Sequence, residues 1–143
     1  MSRKSAKISH IIESFLGQDL DAHYLAYFEC FNRQLFFEAH EVLEELWLQE
    51  RGKAKDLFYK GLIQLAGAFV HLQKNRLSPA AALLNLAQTN FARYPSSYER
   101  LEVVHVQKMT FEWLARIRAV SDGLNPLAVF GPPRLFLGTS NPG

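Results

Sequence analysis

Residues 36–49 read FFEAHEVLEELWLQ, and this stretch decides the class of fold. Its apolar side chains recur every three or four residues and fall on one arc of an ideal helix: Phe36, Ala39, Leu43, Leu46 and Trp47. The pattern predicts an amphipathic helix. Such a helix is stable only when its apolar arc packs against other elements, and the neighbouring sequence indicates which elements those are.

The helical period continues on both sides of this stretch as far as about residue 121. It predicts helices over residues 8–15, from about 20 to 32, over 36–49 and 54–74, from 78 to about 93, and from 96 to about 121. Three helix starts carry capping signals, namely Asp19, the pair Ser78-Pro79, and Ser96 with Glu99 at capping-box spacing. We therefore expect an all-α fold, a single-domain bundle of five to six helices over residues 1–122.

Residues 123–143 differ from the rest of the chain. They hold four of its eight glycines and four of its six prolines, which a regular helix does not accommodate. They are nevertheless too apolar for a free linker, because they include Leu127, Val129, Phe130, Leu135, Phe136 and Leu137. We expect a non-helical, extended tail that docks on the bundle or on a neighbouring subunit, and its apolar content favours a homo-oligomer.

The overall composition narrows the class of protein without naming a reaction. Sixteen Lys and Arg against fourteen Asp and Glu give a net charge of +2 without a basic cluster, so no nucleic-acid partner is expected. The single cysteine, Cys30, excludes an internal disulfide and a multi-cysteine zinc site, and its aromatic neighbours favour a buried, inert thiol. Residues 1–13 make a poor signal peptide, and the longest charge-free run, residues 77–92, is too short and too polar to span a bilayer. These features predict a cytoplasmic protein without membrane contact.

One carboxylate in residues 36–49 is placed differently from the others. Glu38, Glu41 and Glu45 share the side opposite the apolar arc, whereas Glu44 lies beside His40 at the edge of that arc. His40 and Glu44 are four residues apart and are therefore neighbours one turn apart. Because a half-buried carboxylate is unfavourable without a partner, this pair is the first candidate for a site.

The predicted helix over residues 54–74 contributes the second half of the candidate site. Gln64 and His71 point within about 20° of each other on an ideal helix. The surrounding face contains Gly61 and Gly67, and each glycine destabilises a helix by roughly 1 kcal/mol relative to alanine. Close approach of another helix compensates for that loss. We expect the helix over 36–49 to pack there and to bring its His-Glu pair towards Gln64 and His71.

These two stretches resemble a known family. Residues 31–47, FNRQLFFEAHEVLEELW, and residues 61–66, GLIQLA, followed by His71, are similar to the two signatures of the small all-helical bacterial and archaeal domain of unknown function 309. The resemblance covers about residues 24–117. It departs from the usual pattern in two turns, at Arg33, where glycine is common, and at residues 78–80, Ser-Pro-Ala, where Gly-Ala is usual.

The resemblance implies a metal site, and no activity is settled in that family. Its pattern of His, three residues, Glu, two residues and Trp or Tyr is met by His40, Glu44 and Trp47. With His71 as a third ligand and water at an open position, the nitrogen and oxygen donors suit zinc, manganese or iron. A metal ion lowers the pKa of its bound water, and Glu41 is a candidate outer-shell base. This hypothesis predicts a hydrolytic reaction on a small molecule.

A structural interpretation competes with the metal site. In it a buried hydrogen-bond network fixes the helix packing of a scaffold or interaction module, and the network consists of His40, Glu44, Gln64 and His71. Trp47 and Gln64 are also candidate binding residues, but Trp47 is better explained as core filler than as a substrate platform. Glu102 and His105 show the Glu-x-x-His spacing of di-iron bundles in a single copy, without the symmetric partner of such sites.

Overall fold

The computed structural model describes residues 6–120 and 123–138 of the 143-residue chain. Within those ranges it contains seven helices and one two-stranded antiparallel hairpin. The elements are α1 (Ala6–Ser14), α2 (Ala22–Asn32), α3 (Phe36–Glu50), α4 (Asp56–Gln73), α5 (Leu77–Phe91), β1 (Ser97–Tyr98), β2 (Leu101–Glu102), α6 (Val103–Ala119) and α7 (Pro126–Phe130). The all-α fold class predicted from the helical period is confirmed. In the part of the chain that the structure describes, no helix combines the length and the apolar character needed to cross a membrane.

Helix α4 is the centre of the bundle. Its main neighbours are α3 and α5, while α2 packs against α3, α6 against α5 and α1 against α2. Its fully buried side chains form the middle of the core: Phe58, Leu62, Leu65, Phe69 and Leu72. Because neighbouring helices exclude water from most of its surface, α4 is apolar almost all round.

Helix α2 contributes aromatic side chains to the same core. The hydroxyl of Tyr27 donates a hydrogen bond to the carbonyl of Leu62 at 2.6 Å, so the one polar atom of this buried ring is paired. The ring of Phe31 meets that of Phe36 edge-on at a centroid distance of 5.0 Å. Cys30 is fully buried beside these rings, and burial raises its pKa to about 11, which supports the prediction of an inert thiol.

The two glycines of α4 lie against side chains of α5. A Cβ atom at Gly61 would meet the ring of Phe91 at 3.0 Å, and one at Gly67 would meet Leu83 at 3.2 Å. The sequence predicts that the helix over residues 36–49 packs closely against these glycines. This prediction is therefore wrong. The glycines instead leave room for side chains of α5.

Two helix starts differ from the predicted caps. Asp21, rather than Asp19, caps α2, because its Oδ1 accepts a hydrogen bond from the backbone N–H of His23 at 2.8 Å. Helix α5 begins at Leu77, one residue before the predicted serine cap, and no side chain caps it. Pro79 then lies in the first turn, where a backbone N–H has no partner within the helix.

A hairpin takes the place of the predicted capping box before α6. β1 pairs with β2, so Glu99 and Arg100 form a two-residue turn with φ values of 49° and 59°. Positive φ at both turn residues is the requirement of a type I′ turn, which Asn and Gly usually satisfy. The carbonyl of Ser96 accepts from the N–H of Val103 at 2.8 Å, and α6 begins at Val103. The prediction that Ser96 starts the sixth helix is wrong.

The tail docks on its own bundle and contains one short helix. Asn125 caps α7, because its Oδ1 accepts from the N–H of Leu127 at 2.9 Å, and this helix corrects the prediction of a non-helical tail. Further along, Leu135 exchanges two hydrogen bonds of 2.7 Å with the side chain of Asn32 on α2. Residues 1–5, 121–122 and 139–143, which include the outer ends of the predicted bundle and tail, lie outside the described residues.

Candidate functional site

Helices α3, α4 and α5 frame a cavity of about 250 Å³. Its polar lining consists of His40 from α3 and of Gln64 and His71 from α4, and we call it the imidazole pocket. The other lining residues are apolar or lack a side chain: Phe37, Ile63, Gly67, Val70 and Leu83. The structure thus brings three of the predicted site residues to one place. Glu44 and Trp47 are not part of the lining.

Helical spacing explains how two helices supply this lining. Phe37 and His40 are three residues apart on α3, while Gln64, Gly67 and His71 follow at intervals of three and four residues on α4. Each helix therefore presents one stripe of side chains to the cavity. The ring of Phe37 stacks on that of His40 at a centroid distance of 6.1 Å and an interplanar angle of 29°, and half of Phe37 is exposed at the surface.

Both imidazole rings contain a buried nitrogen that has no hydrogen-bond partner among the described residues. These atoms are Nδ1 of His40 and Nδ1 of His71. An unpaired buried polar atom costs roughly 1–3 kcal/mol, and such atoms are rare enough in folded proteins to require an explanation. The two histidines therefore do not have the contacts of a fully paired structural network.

The hydrogen bonds of Gln64 differ from those of the predicted network. Its Oε1 accepts from Nδ2 of Asn90 on α5 at 2.8 Å, and this bond takes the place of the predicted link to Glu44. Nε2 of His40 lies 3.8 Å from Oε2 of Glu44, which is an ion-pair distance but too long for a hydrogen bond. Asn90 could not be predicted from the sequence, because no local pattern aligns α5 with α4.

The carboxylates of α3 are less different from one another than the helical wheel predicts. The side chain of Glu44 is 40% exposed and that of Glu45 is 38% exposed. Oε2 of Glu45 lies 3.2 Å from Nε2 of His23 on α2, so the side opposite the apolar arc also contacts a neighbouring helix. The wheel misses this contact because it contains no information about α2. Glu41, the predicted outer-shell base, is partly exposed and does not line the pocket.

The described residues do not supply a complete set of metal ligands. Across residues 6–120 and 123–138, no three His, Cys, Asp or Glu side chains form a group that could hold a metal ion. His40 is close to Glu44 and shares the pocket with His71, but the three side chains do not form one cluster. Glu102 and His105 are both exposed and line a separate groove between α6 and the tail.

Trp47 connects α3 to the start of α4. Its Nε1 donates to Oδ1 of Asp56 at 2.6 Å, and Oδ2 of Asp56 accepts from the N–H of Gly52 at 2.8 Å. The hydrogen bond from Gly52, followed by the one from Trp47, lowers the pKa of Asp56. Nζ of Lys60 lies 4.5 Å from the centre of the indole ring. These contacts support a structural role for Trp47 over the predicted binding role.

The geometry defines a small helical-bundle protein in which two sequence motifs, on neighbouring helices, share one pocket. Residues 24–83 match the family described as "Domain of unknown function (DUF309)". This segment includes most of α2, all of α3 and α4 and the first turns of α5, and therefore every polar residue of the imidazole pocket. The match confirms the resemblance to this family, over a shorter range than the predicted residues 24–117.

Two curated proteins are similar to parts of the chain. An "Uncharacterized protein" from Aquifex aeolicus (strain VF5) is 25% identical over 108 residues, which are 75% of this chain and 32% of that protein. The "Uncharacterized protein YpuF" from Bacillus subtilis (strain 168) is 37% identical over 49 residues, which are 34% of this chain and 28% of that protein. The chain thus spans less than a third of the length of either relative. No solved structure matches it.

Proposed function

We propose that the protein binds a small molecule in the imidazole pocket. One observation carries this proposal: His40 and His71, one from each motif, line a single cavity whose walls are otherwise largely apolar. Ligand sites have this composition, in which apolar walls bury the ligand and a few polar groups orient it. Drug-sized ligands occupy cavities of roughly 300–1,000 Å³. At about 250 Å³, this cavity suits a smaller molecule.

NMR of the imidazole C–H groups tests the proposal. The probes are hexanoate, hexanol and hexylamine, each added up to about 10 mM because small fragments bind weakly. We expect at least one probe to shift the resonances of His40 and His71, and His71→Ala to abolish its binding. His105→Ala is the matched control, since His105 is exposed on α6 outside the pocket. If no probe shifts these resonances, or if the control variant weakens binding equally, the proposal is wrong.

A metal-dependent hydrolase is a second candidate. The observation that favours it is the approach of Nε2 of His40 to within 3.8 Å of Oε2 of Glu44, at i, i+4 spacing. Together with His71, these donors suit zinc, manganese or iron. A bound ion would supply an activated water for hydrolysis of a small molecule, and Glu41 is the candidate base on the same helix.

The metal content of the purified protein separates the two candidates. The protein is loaded with Zn²⁺, Mn²⁺ or Fe²⁺, dialysed, and analysed by mass spectrometry of the metal. A stoichiometric ion that both His40→Ala and Glu44→Gln lose supports the metal site, and Glu38→Gln is the control carboxylate of the same helix. If the unmodified protein retains no stoichiometric metal, the hydrolase candidate is excluded. Small-molecule binding requires no metal ion and is judged by the NMR experiment.

The scaffold interpretation and self-association depend on exposed apolar side chains. Phe111 on α6 is 66% exposed and Phe136 in the tail is 68% exposed. Exposed apolar groups of this size favour contact with another protein surface, including a second copy of this chain. Light scattering at about 100 μM, a concentration that populates micromolar complexes, measures the oligomeric state. A dimer that Phe111→Ser or Phe136→Ser dissociates supports self-association, and a monomer excludes it.

A further inference from the structure

We infer that the ligand of the imidazole pocket is a small monocarboxylate with a short apolar body. This inference rests on the proposed function and specifies the chemical class of the ligand. The charge of the head group follows from the hydrogen-bonding groups of the lining, and the size of the body follows from the cavity.

Donors predominate among the polar groups that remain for a ligand. Oε1 of Gln64 already accepts from Asn90, so the amide NH₂ of Gln64 is the part of this side chain that is left to bind a ligand. Each neutral imidazole offers one N–H, and each protonated imidazole offers two. No carboxylate of the described residues lines the cavity. A head group that accepts several hydrogen bonds, as a carboxylate does, therefore matches His40, Gln64 and His71.

Glu44 is the negative charge that competes with such a ligand. Its Oε2 lies 3.8 Å from Nε2 of His40, but the residue is outside the pocket lining and its side chain is 40% exposed. Solvent around this partly exposed carboxylate therefore screens its charge. A cationic ligand would gain little from this screened carboxylate and would meet the N–H donors of the lining.

The volume of the cavity suits a ligand of a few carbon atoms. A water-sized group occupies roughly 30 Å³, so a volume of about 250 Å³ holds about eight such groups. Hexanoate, with six carbons and two oxygens, is of this size. The apolar walls bury the carbon chain.

The relative affinities of three probes of equal chain length test the inference on the unmodified protein. Isothermal calorimetry compares hexanoate, hexanol and hexylamine, which differ in the charge of the head group. We expect hexanoate to bind about tenfold more tightly than hexanol, because a charge-assisted hydrogen bond contributes more than a neutral one. Hexylamine should bind more weakly than hexanol. If hexanol or hexylamine binds in the pocket as tightly as hexanoate, the carboxylate class is wrong and the proposed function stands.

Gln64→Glu provides a second test within the pocket. The glutamate retains an oxygen that accepts from Asn90, but it replaces the amide NH₂ donor by a second carboxylate oxygen. Hexanoate should therefore bind at least about tenfold more weakly to this variant. Gln49→Glu adds the same charge at an exposed position of α3 and should leave the affinity unchanged. Unchanged binding to Gln64→Glu, or no binding of hexanoate to the unmodified protein, would overturn the inference.

Discussion

Two polar regions of the molecule differ in how completely their polar atoms are paired. One is the imidazole pocket, and the other is a cluster of Tyr24, Lys55, Tyr59 and Glu99, which we call the Glu99 cluster. Nζ of Lys55 lies 2.8 Å from Oε1 of Glu99, and the hydroxyl of Tyr59 donates to the same oxygen at 3.3 Å. The hydroxyl of Tyr24 donates to the backbone carbonyl of Glu99 at 2.9 Å. In the pocket, by contrast, each histidine retains a buried nitrogen that is unpaired among the described residues.

This difference indicates which polar residues stabilise the fold and which do not. The bond between Tyr24 and Glu99 joins residues 75 positions apart and fixes a hairpin turn with positive φ. Paired polar groups of this kind contribute to stability, whereas unpaired buried nitrogens lower it. Substitutions in the Glu99 cluster should therefore destabilise the protein, and apolar substitutions of the pocket histidines should not.

The largest effect is expected from alkaline pH, which acts on the Glu99 cluster. Burial raises the pKa of Tyr24 and of Tyr59 well above the usual value near 10, and the hydrogen bond to Glu99 raises the pKa of Lys55. The unfolded chain therefore releases these protons at a lower pH than the folded chain. Their stabilising contribution is complete below about pH 10 and is lost as the pH rises above that value.

Urea unfolding at about pH 9 and about pH 11 measures this loss. Each buried tyrosine lowers the free energy of unfolding by about 1.4 kcal/mol over this interval, so Tyr59→Phe should lose about 1.4 kcal/mol less than the unmodified protein. His71→Leu should show the same loss as the unmodified protein, because His71 is not part of the Glu99 cluster. A Tyr59→Phe protein with the full alkaline loss would contradict the raised pKa of Tyr59.

Glu99→Ala should have the next largest effect. It removes the partner of Lys55 and of Tyr59, so we expect the free energy of unfolding at neutral pH to fall by about 1–3 kcal/mol. Urea denaturation monitored by circular dichroism measures the change. Glu102→Ala, at an exposed position of the same hairpin, is the control and should change stability by less than about 0.5 kcal/mol. Equal effects of the two substitutions would show that the Glu99 cluster does not stabilise the fold.

The two sites also differ in how far the sequence predicts them. A helical wheel places Gln64 and His71 on one face of α4 and His40 at the edge of the apolar arc of α3, although it does not show how the two helices pack. The Glu99 cluster depends on contacts between distant parts of the chain. It also depends on a type I′ turn formed by Glu99 and Arg100, for which Asn or Gly is the usual signal. Local patterns therefore predict the pocket residues and miss the cluster.

Competition between local and long-range contacts explains the wrong helix starts. Ser96 has capping-box spacing, but the chain after it forms a hairpin, and the tail pairs with that hairpin between Leu101 and Leu137. The N–H of Gly138 also donates to the carbonyl of Arg100 at 2.7 Å. These contacts involve residues more than 30 positions away in the sequence, and no capping rule contains them.

His71→Leu tests the pocket side of the comparison. Leucine has a similar size and removes the unpaired nitrogen, so stability should rise by up to about 1 kcal/mol while binding of hexanoate is lost. Urea denaturation and calorimetry measure the two quantities. His105→Leu, at an exposed site on α6, should retain hexanoate binding. If His71→Leu lowers stability by more than about 1 kcal/mol, His71 contributes to a structural network after all.

Gly67→Ala should have the smallest effect on stability and still affect the pocket. The new Cβ meets only the end of a flexible side chain, Cδ1 of Leu83, at 3.2 Å, and alanine favours the helix by about 1 kcal/mol. These terms oppose each other, so we expect a net change within about 0.5 kcal/mol. The methyl group enters the pocket lining, however, and should weaken hexanoate binding several-fold.

Gly61→Ala is the contrasting variant, because its Cβ meets the aromatic ring of Phe91 at 3.0 Å and should destabilise the core without entering the pocket. If Gly67→Ala binds hexanoate as tightly as the unmodified protein, the ligand does not lie against α4, and the pocket boundary inferred from the lining is wrong.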